Sequence, residues 1–207
     1  MKPGTGVFGK LADLYRRMGD AYATTAKAAG LTCDDCPHNC CTSYFQHHTY
    51  IEWIYLHKGL NALPETRRKD YTQRAETYVA EAREALAAGR APTAMCPLND
   101  AGLCGLYGHR MMICRLHGTR NTLSGPNGAG KVFPGCARFT ALPVVVEGPE
   151  EAIPVLDRTP FYRELAGLEK EFLARVGRPL PRVDLTLAEM IVLGPPPLRQ
   201  SKSTLKS

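Results

Sequence analysis

The sequence predicts a mainly α-helical fold, a small and irregular domain with long loops that a bound metal stabilises. Three observations lead to this fold class. Several segments repeat apolar residues every three or four positions, which is the period of a helix with one buried face. Between these segments the chain is rich in Gly, Pro and Asn and has no sustained period. All eight cysteines and all six histidines fall between positions 33 and 136.

Composition limits the class of protein further. The 207 residues are enough for one domain with extensions, and 44% of them are hydrophobic and 22% are charged. These values are ordinary for a globular protein and exclude the collagen, coiled-coil and wholly disordered classes. No run approaches the roughly 18 to 20 apolar residues that span a bilayer, and the first residues do not resemble a signal peptide. We therefore expect a cytoplasmic protein without a membrane partner.

Periodicity and turn residues divide the chain into four segments. Residues 1–30 are predicted to be an N-terminal packing helix. Residues 31–140 are predicted to be a cysteine-cluster metal-binding domain with a helical hairpin arm. A C-terminal helical extension is predicted over residues 141–194, and a disordered tail over residues 195–207, which begin with three prolines.

Helix start and stop signals place the individual elements. Gly30 is a typical stop for the first helix, and Pro64 with Glu65 is a typical start for the longest one. Residues 118–135 lack an apolar period and are expected to form a long polar loop. The helices are predicted over residues 8–29, 49–60, 64–89, 107–116, 160–176 and 185–193, and one strand over residues 142–146.

The eight cysteines form two groups, and each cysteine is a candidate metal ligand. They make up about 4% of the chain, below the density of a disulfide-stapled secreted protein, and clustered thiols in a reducing compartment indicate a metal site. We expect the two groups to meet in space, because neither alone presents an unambiguous set of four ligands. The first group is Cys33, Cys36, Cys40 and Cys41, and the second is Cys96, Cys104, Cys114 and Cys136.

The spacing within the first group leaves the kind of centre open. Cys33 and Cys36 have the C-x2-C spacing that brings two thiolates to one side of a tight turn. The side chains of the adjacent Cys40 and Cys41 tend to diverge. They could bind different atoms of a polynuclear cluster or two separate sites, or one could ligate while the other packs.

Two simpler interpretations of this stretch do not fit its residues. A c-type haem site needs C-x-x-C-H, and here Pro37 separates Cys36 from His38. A dithiol redox pair needs a lowered thiol pKa, which Asp34 and Asp35 between the cysteines would oppose. A mixed zinc site stays open because His38, His47 and His48 lie nearby.

The order of the cysteine motifs resembles the YkgJ-like cysteine-cluster family, which is described only as zinc- or iron-chelating. The similarity covers about residues 33 to 138, half of the chain. One departure is Arg110-Met111, where the family has Arg-Pro. The matching motifs are C-x2-C-x3-C-C from Cys33 to Cys41, a Thr and a Glu at Thr49 and Glu52, Cys96-Pro97-Leu98, Cys104-x2-Tyr107-x2-Arg110-x3-Cys114-Arg115, and Cys136-Ala137-Arg138.

This resemblance also suggests a cofactor. A similar pattern in flagellin lysine methylases implies an iron-sulfur cluster of the 4Fe-4S type, so we expect that cofactor, with zinc as the alternative. All-thiolate ligation suits both. The expected function is electron transfer or a modification reaction, with another protein as substrate or redox partner. The alternative is a zinc-stabilised interaction or nucleic-acid-binding module without catalysis. Glu52 and Tyr107 are the polar residues expected near the metal.

Charge gives a further indication. The net charge is +6, and residues 101 to 140 contain five basic residues and no Asp or Glu. Arginines near an anionic thiolate centre would stabilise it. A basic face for nucleic acid ranks second, because the segment lacks interleaved aromatic residues and a binding motif. The five basic residues are Arg110, Arg115, Arg120, Lys131 and Arg138.

A phosphate-binding loop is rejected. The stretch from Gly125 to Lys131 matches most of G-x4-G-K-[ST], but Val132 replaces the hydroxyl residue and Pro134 blocks the helix that should follow.

Overall fold

The computed structural model describes residues 6–33, 36, 40–125 and 127–198. Within these ranges the fold is mainly helical, as predicted, with few and short strands. The helices are α1 (Val7–Ala29), α2 (Tyr50–Asn61), α3 (Glu65–Ala87), α4 (Met112–Leu116), α5 (Ala137–Thr140), α6 (Pro143–Val146), α7 (Thr159–Ala174) and α8 (Leu187–Leu193). Single 3-10 turns lie at Cys40–Thr42, Tyr107–His109 and Glu150–Ala152.

Seven short strands form three small sheets. β1 (Gln46–His47) pairs with β7 (Leu185–Thr186), and β2 (Asn99–Asp100) pairs with β3 (Leu103–Cys104), both antiparallel. The third sheet has the order β5-β4-β6 and comprises β4 (Asn121–Ser124), β5 (Gly130–Phe133) and β6 (Leu156–Asp157). β4 runs antiparallel to β5 and parallel to β6.

The first helix is amphipathic, as its period predicts. Leu11, Leu14 and Met18 are fully buried, and the helix packs against α4 and α7. Gly30 adopts the left-handed conformation at φ 72°, which ends the helix because residues with a side chain rarely adopt it.

The second helix is fixed at its start and along its length. The Glu169 carboxylate on α7 accepts hydrogen bonds from the backbone N–H groups of Tyr50 and Ile51, each at 2.9 Å. These are donors that the first turn of a helix leaves without a partner. The Trp53 indole donates to the carbonyl of Met190 at 3.1 Å and thereby ties α2 to α8.

The third helix returns the chain to the cysteine segments. Arg74 on α3 pairs with Asp100 on β2 at 3.0 Å, and Arg67 and Tyr71 also donate to that carboxylate. The hairpin of β2 and β3, which carries Cys104, is therefore docked on α3.

Three predicted elements are corrected by the structure. Residues 142–146 form helix α6 rather than a strand, with Pro143 in its first turn. Residues 118–135 contain the β4–β5 hairpin rather than an unstructured loop. The predicted helix over 107–116 is interrupted, because Arg110 is extended and α4 begins only at Met112.

The remaining elements agree with the sequence prediction to within a few residues. The last helix begins at Leu187 rather than Leu185 because Leu185 and Thr186 pair with β1. Thr186 then caps the helix in a reciprocal arrangement with Glu189. The disordered tail was predicted for residues 195–207, of which 199–207 lie outside the described residues.

Candidate metal centre

A small cavity receives cysteines from both groups. Its volume is about 50 Å3. The chain joins the two groups directly, since the N–H of Cys96 donates to the carbonyl of Cys41 at 2.9 Å. The expectation that the groups meet is confirmed for five of the eight. The cysteines that line the cavity are Cys40, Cys41, Cys96, Cys104 and Cys114.

Different elements position these five thiols. Cys40 and Cys41 lie in the first 3-10 turn, Cys104 on β3 and Cys114 on α4. Cys96 lies in the segment that follows α3. The segments that carry Cys96, Cys104 and Cys114 are anchored in the core by apolar neighbours, because Leu98, Leu106, Met112 and Leu116 are buried.

The other three candidate ligands lie outside the cavity wall. The Cys33 sulfur is 3.9 Å from the Tyr22 hydroxyl on α1. The Cys136 sulfur accepts a hydrogen bond from the Phe139 N–H at 3.4 Å and so caps α5. Burial raises the pKa of Tyr22 above its usual value, and Cys33 and Cys136 raise it further. The structure thus brings Cys33 and Cys136 near one tyrosine, on which the cavity residue Cys40 also acts. Cys36 likewise is not part of the cavity wall.

The thiols are gathered without forming a closed coordination sphere. Among the described residues, no three side chains of His, Cys, Asp or Glu are arranged so that they could hold a metal ion. Thiolate ligands of zinc lie about 2.3 Å from the ion, so these side chains would have to move inward to bind one.

The adjacent pair differs in protonation. The hydrogen bond between the two thiols, together with Asn99 and Arg110, outweighs burial and lowers the pKa of Cys41 to about 6. The same bond and burial raise the pKa of Cys40. Of the two thiols, Cys41 therefore loses its proton first.

Burial dominates at the other cavity thiols. It raises the pKa of Cys114 to about 12 and also raises the pKa values of Cys96 and Cys104. These thiols stay protonated at neutral pH unless a cation joins them, since thiolates must be compensated in an apolar site.

Arg110 brings positive charge to the cavity wall. Burial opposes its charge, but the thiols of Cys114, Cys40 and Cys104 act the other way, and the pKa of Arg110 is raised. The sequence places Arg110 beside these cysteines on the expectation of a shared helix with Cys114. The proximity is present, but the helix is not.

Arg115 has a different task. Its guanidinium donates to the carbonyls of Arg110, Tyr107 and Gly108, and it lies 4.3 Å above the Tyr15 ring. It holds the turn before α4 in place. Tyr107, expected near the metal, has its side chain 59% exposed.

Glu52 connects the helices α1, α2 and α4. Its carboxylate accepts hydrogen bonds from the Tyr15 hydroxyl at 2.8 Å, from the Thr49 hydroxyl at 2.8 Å and from the Met112 N–H at 2.9 Å. The last of these fixes the first turn of α4, which carries Cys114. Glu52 therefore positions a thiol-bearing helix and is satisfied by these three donors.

The histidine nearest to the thiols is His47. It is 2% exposed, it lines the cavity, and burial lowers its pKa to about 4. His48 is half exposed and lies 3.2 Å from Asp184. His117 packs against Phe45. His38, the other histidine considered for a mixed zinc site, lies outside the described residues.

Sequence reasoning missed two parts of the site. Asn99 follows Cys96 in a turn, and its buried side-chain nitrogen has no hydrogen-bond partner although it lies close enough to lower the pKa of Cys41. Its position three residues after a candidate ligand was the available signal. The apolar wall formed by Leu187 and Ala188 comes from α8, and nothing local in the sequence could link it to the cysteines.

Several of the basic residues between 101 and 140 have interaction partners within the protein itself. Arg110 and Arg115 serve the turn and the cavity, and Arg120 pairs with Glu150 at 2.6 Å. Lys131 lies on the β4–β5 hairpin, where a strand follows the glycines and not the helix that a phosphate-binding loop requires.

Comparison with protein families, with curated proteins and with solved structures finds no match for this chain. The resemblance to the YkgJ-like family therefore stays a prediction that rests on the motifs quoted above. None of the described helices combines the length and the apolar character needed to cross a membrane.

Proposed function

We propose that this is a metal-binding cysteine-cluster protein whose cavity holds an iron-sulfur centre of the 4Fe-4S type. The centre would support electron transfer or a modification reaction on another protein. One observation carries the proposal: five thiols from two distant parts of the chain line one small cavity beside the partly buried Arg110. Unrelated buried cysteines would not collect at one point from four separate segments.

The donor set fits a thiolate-bound centre. Sulfur ligands suit iron-sulfur clusters and zinc, and either centre is anionic when four thiolates bind it. Arg110 offsets that charge, and the Asn99 amide can donate to a ligand sulfur. Hydrogen bonds and charges of this kind tune thiolate centres. Phe45, Pro97 and Leu187 supply an apolar wall that keeps water away.

A partner protein could approach the centre next to Cys104. Leu103 is 76% exposed and Tyr107 is 59% exposed, and both lie beside cavity residues in the chain. Exposed apolar side chains of this size are typical of contact surfaces for other proteins. This position supports a role in which electrons or a reactive group pass to a partner.

A zinc-stabilised module without catalysis is the second candidate. The buried His47 lines the cavity beside the five thiols. Zinc binds mixed sets of Cys and His as well as sets of four Cys.

An iron-sulfur centre and a zinc site differ in their visible absorption and in their elemental composition. The protein should be purified without oxygen, and its visible absorption, iron, zinc and acid-labile sulfide should be measured. Iron-sulfur clusters absorb visible light, whereas zinc does not. We expect iron and sulfide in equal amounts together with visible absorption. Stoichiometric zinc without colour would favour the second candidate, and the absence of any bound metal would contradict both.

A matched pair of variants tests the site itself. Cys104→Ser with Cys114→Ser removes two cavity thiols and should abolish metal binding. Cys33→Ser, outside the cavity wall, should retain more metal than this double variant. Equal metal content in both proteins would mean that the cavity is not the centre.

A further inference from the structure

Arg158 is a buried cation that has no ionic partner among the described residues. It lies at the junction of β6 and α7 and is only 9% exposed. Its guanidinium forms no ion pair or hydrogen bond with the residues that the structure describes, and its Nε is buried without a partner. An uncompensated buried charge is costly, so buried guanidinium groups normally have a carboxylate or another anion beside them.

The carboxylates closest in the chain are already engaged. Asp157 accepts a hydrogen bond from the N–H of Thr159 at 2.8 Å and caps the start of α7. Glu150 pairs with Arg120. Neither is therefore placed to neutralise Arg158.

Aromatic rings hold the guanidinium in place. Its central carbon lies 3.7 Å from the ring centre of Phe133 on β5 and 5.2 Å from that of Tyr162 on α7. Stacking of this kind stabilises a cation without neutralising it and leaves its N–H groups free to donate.

A second cation contacts the same phenylalanine. The Lys131 nitrogen lies 5.9 Å from the Phe133 ring centre, and Lys131 is exposed on β5. It has no carboxylate within 4.0 Å among the described residues. Within the part of the chain that the structure describes, two cations without anionic partners therefore contact one ring on the three-stranded sheet.

We propose that Arg158, with Lys131 beside it, binds a small oxyanion over the ring of Phe133, the ligand being a phosphate or a carboxylate group. The planar fork of a guanidinium fits two oxygens of either group. Lys131 adds a second positive charge from the solvent side. This site uses none of the cysteines and does not depend on the metal proposal.

The test measures how oxyanions stabilise the protein as purified. Its thermal unfolding midpoint should be followed while inorganic phosphate or acetate replaces chloride at constant ionic strength. A ligand that binds only the folded state raises the midpoint. We expect a saturable rise, and the more effective ion distinguishes a phosphate ligand from a carboxylate ligand.

Three variants identify the residues. Arg158→Met keeps the side-chain volume and should lower the apparent affinity by roughly tenfold or more, because charge-assisted hydrogen bonds are lost. It should also raise the midpoint without oxyanion, because a buried charge is removed. Arg120→Gln, on a surface ion pair, is the control and should bind as the unchanged protein does. Lys131→Ala is exposed, so it tests the site even where Arg158→Met fails to fold, and it should weaken binding by about fivefold.

Four results would overturn the proposal. The first is no saturable rise with either ion in the unchanged protein. The second is an equal rise in Arg158→Met, which would indicate an effect of the solvent. The third is a lower midpoint of Arg158→Met with unchanged oxyanion affinity, which would show that Arg158 only packs between the rings. Unchanged affinity in Lys131→Ala would likewise contradict the two-cation site.

Discussion

Arg110 and Arg115 lie five residues apart and have separate tasks. Arg110 faces the thiols, whereas Arg115 donates to three backbone carbonyls and stacks on Tyr15. A positive charge next to a thiolate centre stabilises the bound metal. A guanidinium that ties a turn together stabilises the fold instead.

Replacing Arg110 or Arg115 by leucine tests these two roles separately. We expect Arg110→Leu to lower the metal content per chain while the metal-free protein keeps its stability. Arg115→Leu should lower the free energy of unfolding by about 2–3 kcal/mol, since several hydrogen bonds and a cation–π contact are lost. Metal analysis and urea unfolding measure both quantities. If the two variants change both quantities alike, the division of tasks is wrong.

The buried carboxylate of Glu52 stabilises the fold through the three hydrogen bonds that it accepts. In Glu52→Gln the side chain loses its negative charge and one of its two accepting oxygens, so the hydrogen bonds to it lose their charge assistance and at least one must reverse or break. We expect a loss of about 1–3 kcal/mol in the free energy of unfolding. Glu65→Gln, which breaks only the exposed pair with Lys69, should change it by less than about 0.5 kcal/mol. Equal effects in urea unfolding would show that the three hydrogen bonds contribute nothing.

At the scale of elements, the position of Cys136 depends on the glycine before it. Gly135 has φ 98°, and a Cβ there would lie 2.7 Å from the carbonyl oxygen of Gly118 and 2.9 Å from the Phe139 ring. Gly135→Ala should therefore destabilise the protein by about 2–4 kcal/mol.

The control for this change is a glycine inside α1. A Cβ at Gly19 meets no atom within 4 Å, so Gly19→Ala should stabilise the protein by about 0.5–1 kcal/mol. Thermal unfolding of both variants gives the comparison. A neutral Gly135→Ala would mean that the junction before α5 adapts to a side chain.

The long helices were predictable because their signals are local. The apolar period of α1 and the Pro64-Glu65 start of α3 each depend only on residues within that helix or next to it. Both helices form where expected. The Val144–Val146 run favours a strand by propensity, but it packs as a helical turn against the small cluster around Phe139. Tertiary packing overrides propensity in so short a segment.

The meeting of the two cysteine groups was predictable, but the set of cysteines that line the cavity was not. The grouping of the cysteines indicated that both groups would come together, and Cys41 and Cys96 do so through a backbone hydrogen bond. It could not indicate that Cys33 and Cys136 would lie by Tyr22, because that depends on how α1 packs. The β4–β5 hairpin was missed because its strands are polar and do not alternate, so they resemble a loop.

At the scale of the whole molecule, one hydrophobic cluster joins residues of α1, α2, α3, α7 and α8. His57 lies inside it, 8% exposed, and donates to the Met190 carbonyl at 2.9 Å. Burial lowers the pKa of His57 below its usual 6.5. The unfolded chain therefore takes up the proton more readily, and stability that is present above about pH 6.5 is lost as the pH falls.

Urea unfolding between pH 7 and pH 5 checks this dependence. In His57→Gln the amide can keep the hydrogen bond to Met190 without titrating, so the midpoint should fall less with acid than in the unchanged protein. His47, whose pKa burial also lowers, keeps part of the acid dependence in both proteins. The same pH slope in the variant and in the unchanged protein would rule out His57 as a source of it.

If the proposed metal is bound, residues 40–46 are the part of the molecule that we expect to depend on it most. None of its residues is buried, whereas the neighbouring helices place many side chains in the core. Metal-binding energy becomes folding energy where the chain has little else to hold it. Residues 31–48 contain no Lys or Arg, so chymotrypsin, which cuts after aromatic residues, is the suitable protease.

Removing the metal with a chelator should open this segment before any other. We expect cleavage after Tyr44 and Phe45 to accelerate at least tenfold, roughly the effect of losing 1.4 kcal/mol of local stability, because cleavage follows the population of the open form. Tyr15 and Trp53, which are buried in helices, serve as internal controls and should stay intact. Mass spectrometry of the fragments identifies the sites. Equal cleavage with and without metal would show that the core alone holds the segment, and simultaneous cleavage at Trp53 would show that the metal supports the whole fold rather than its cysteine-bearing turn.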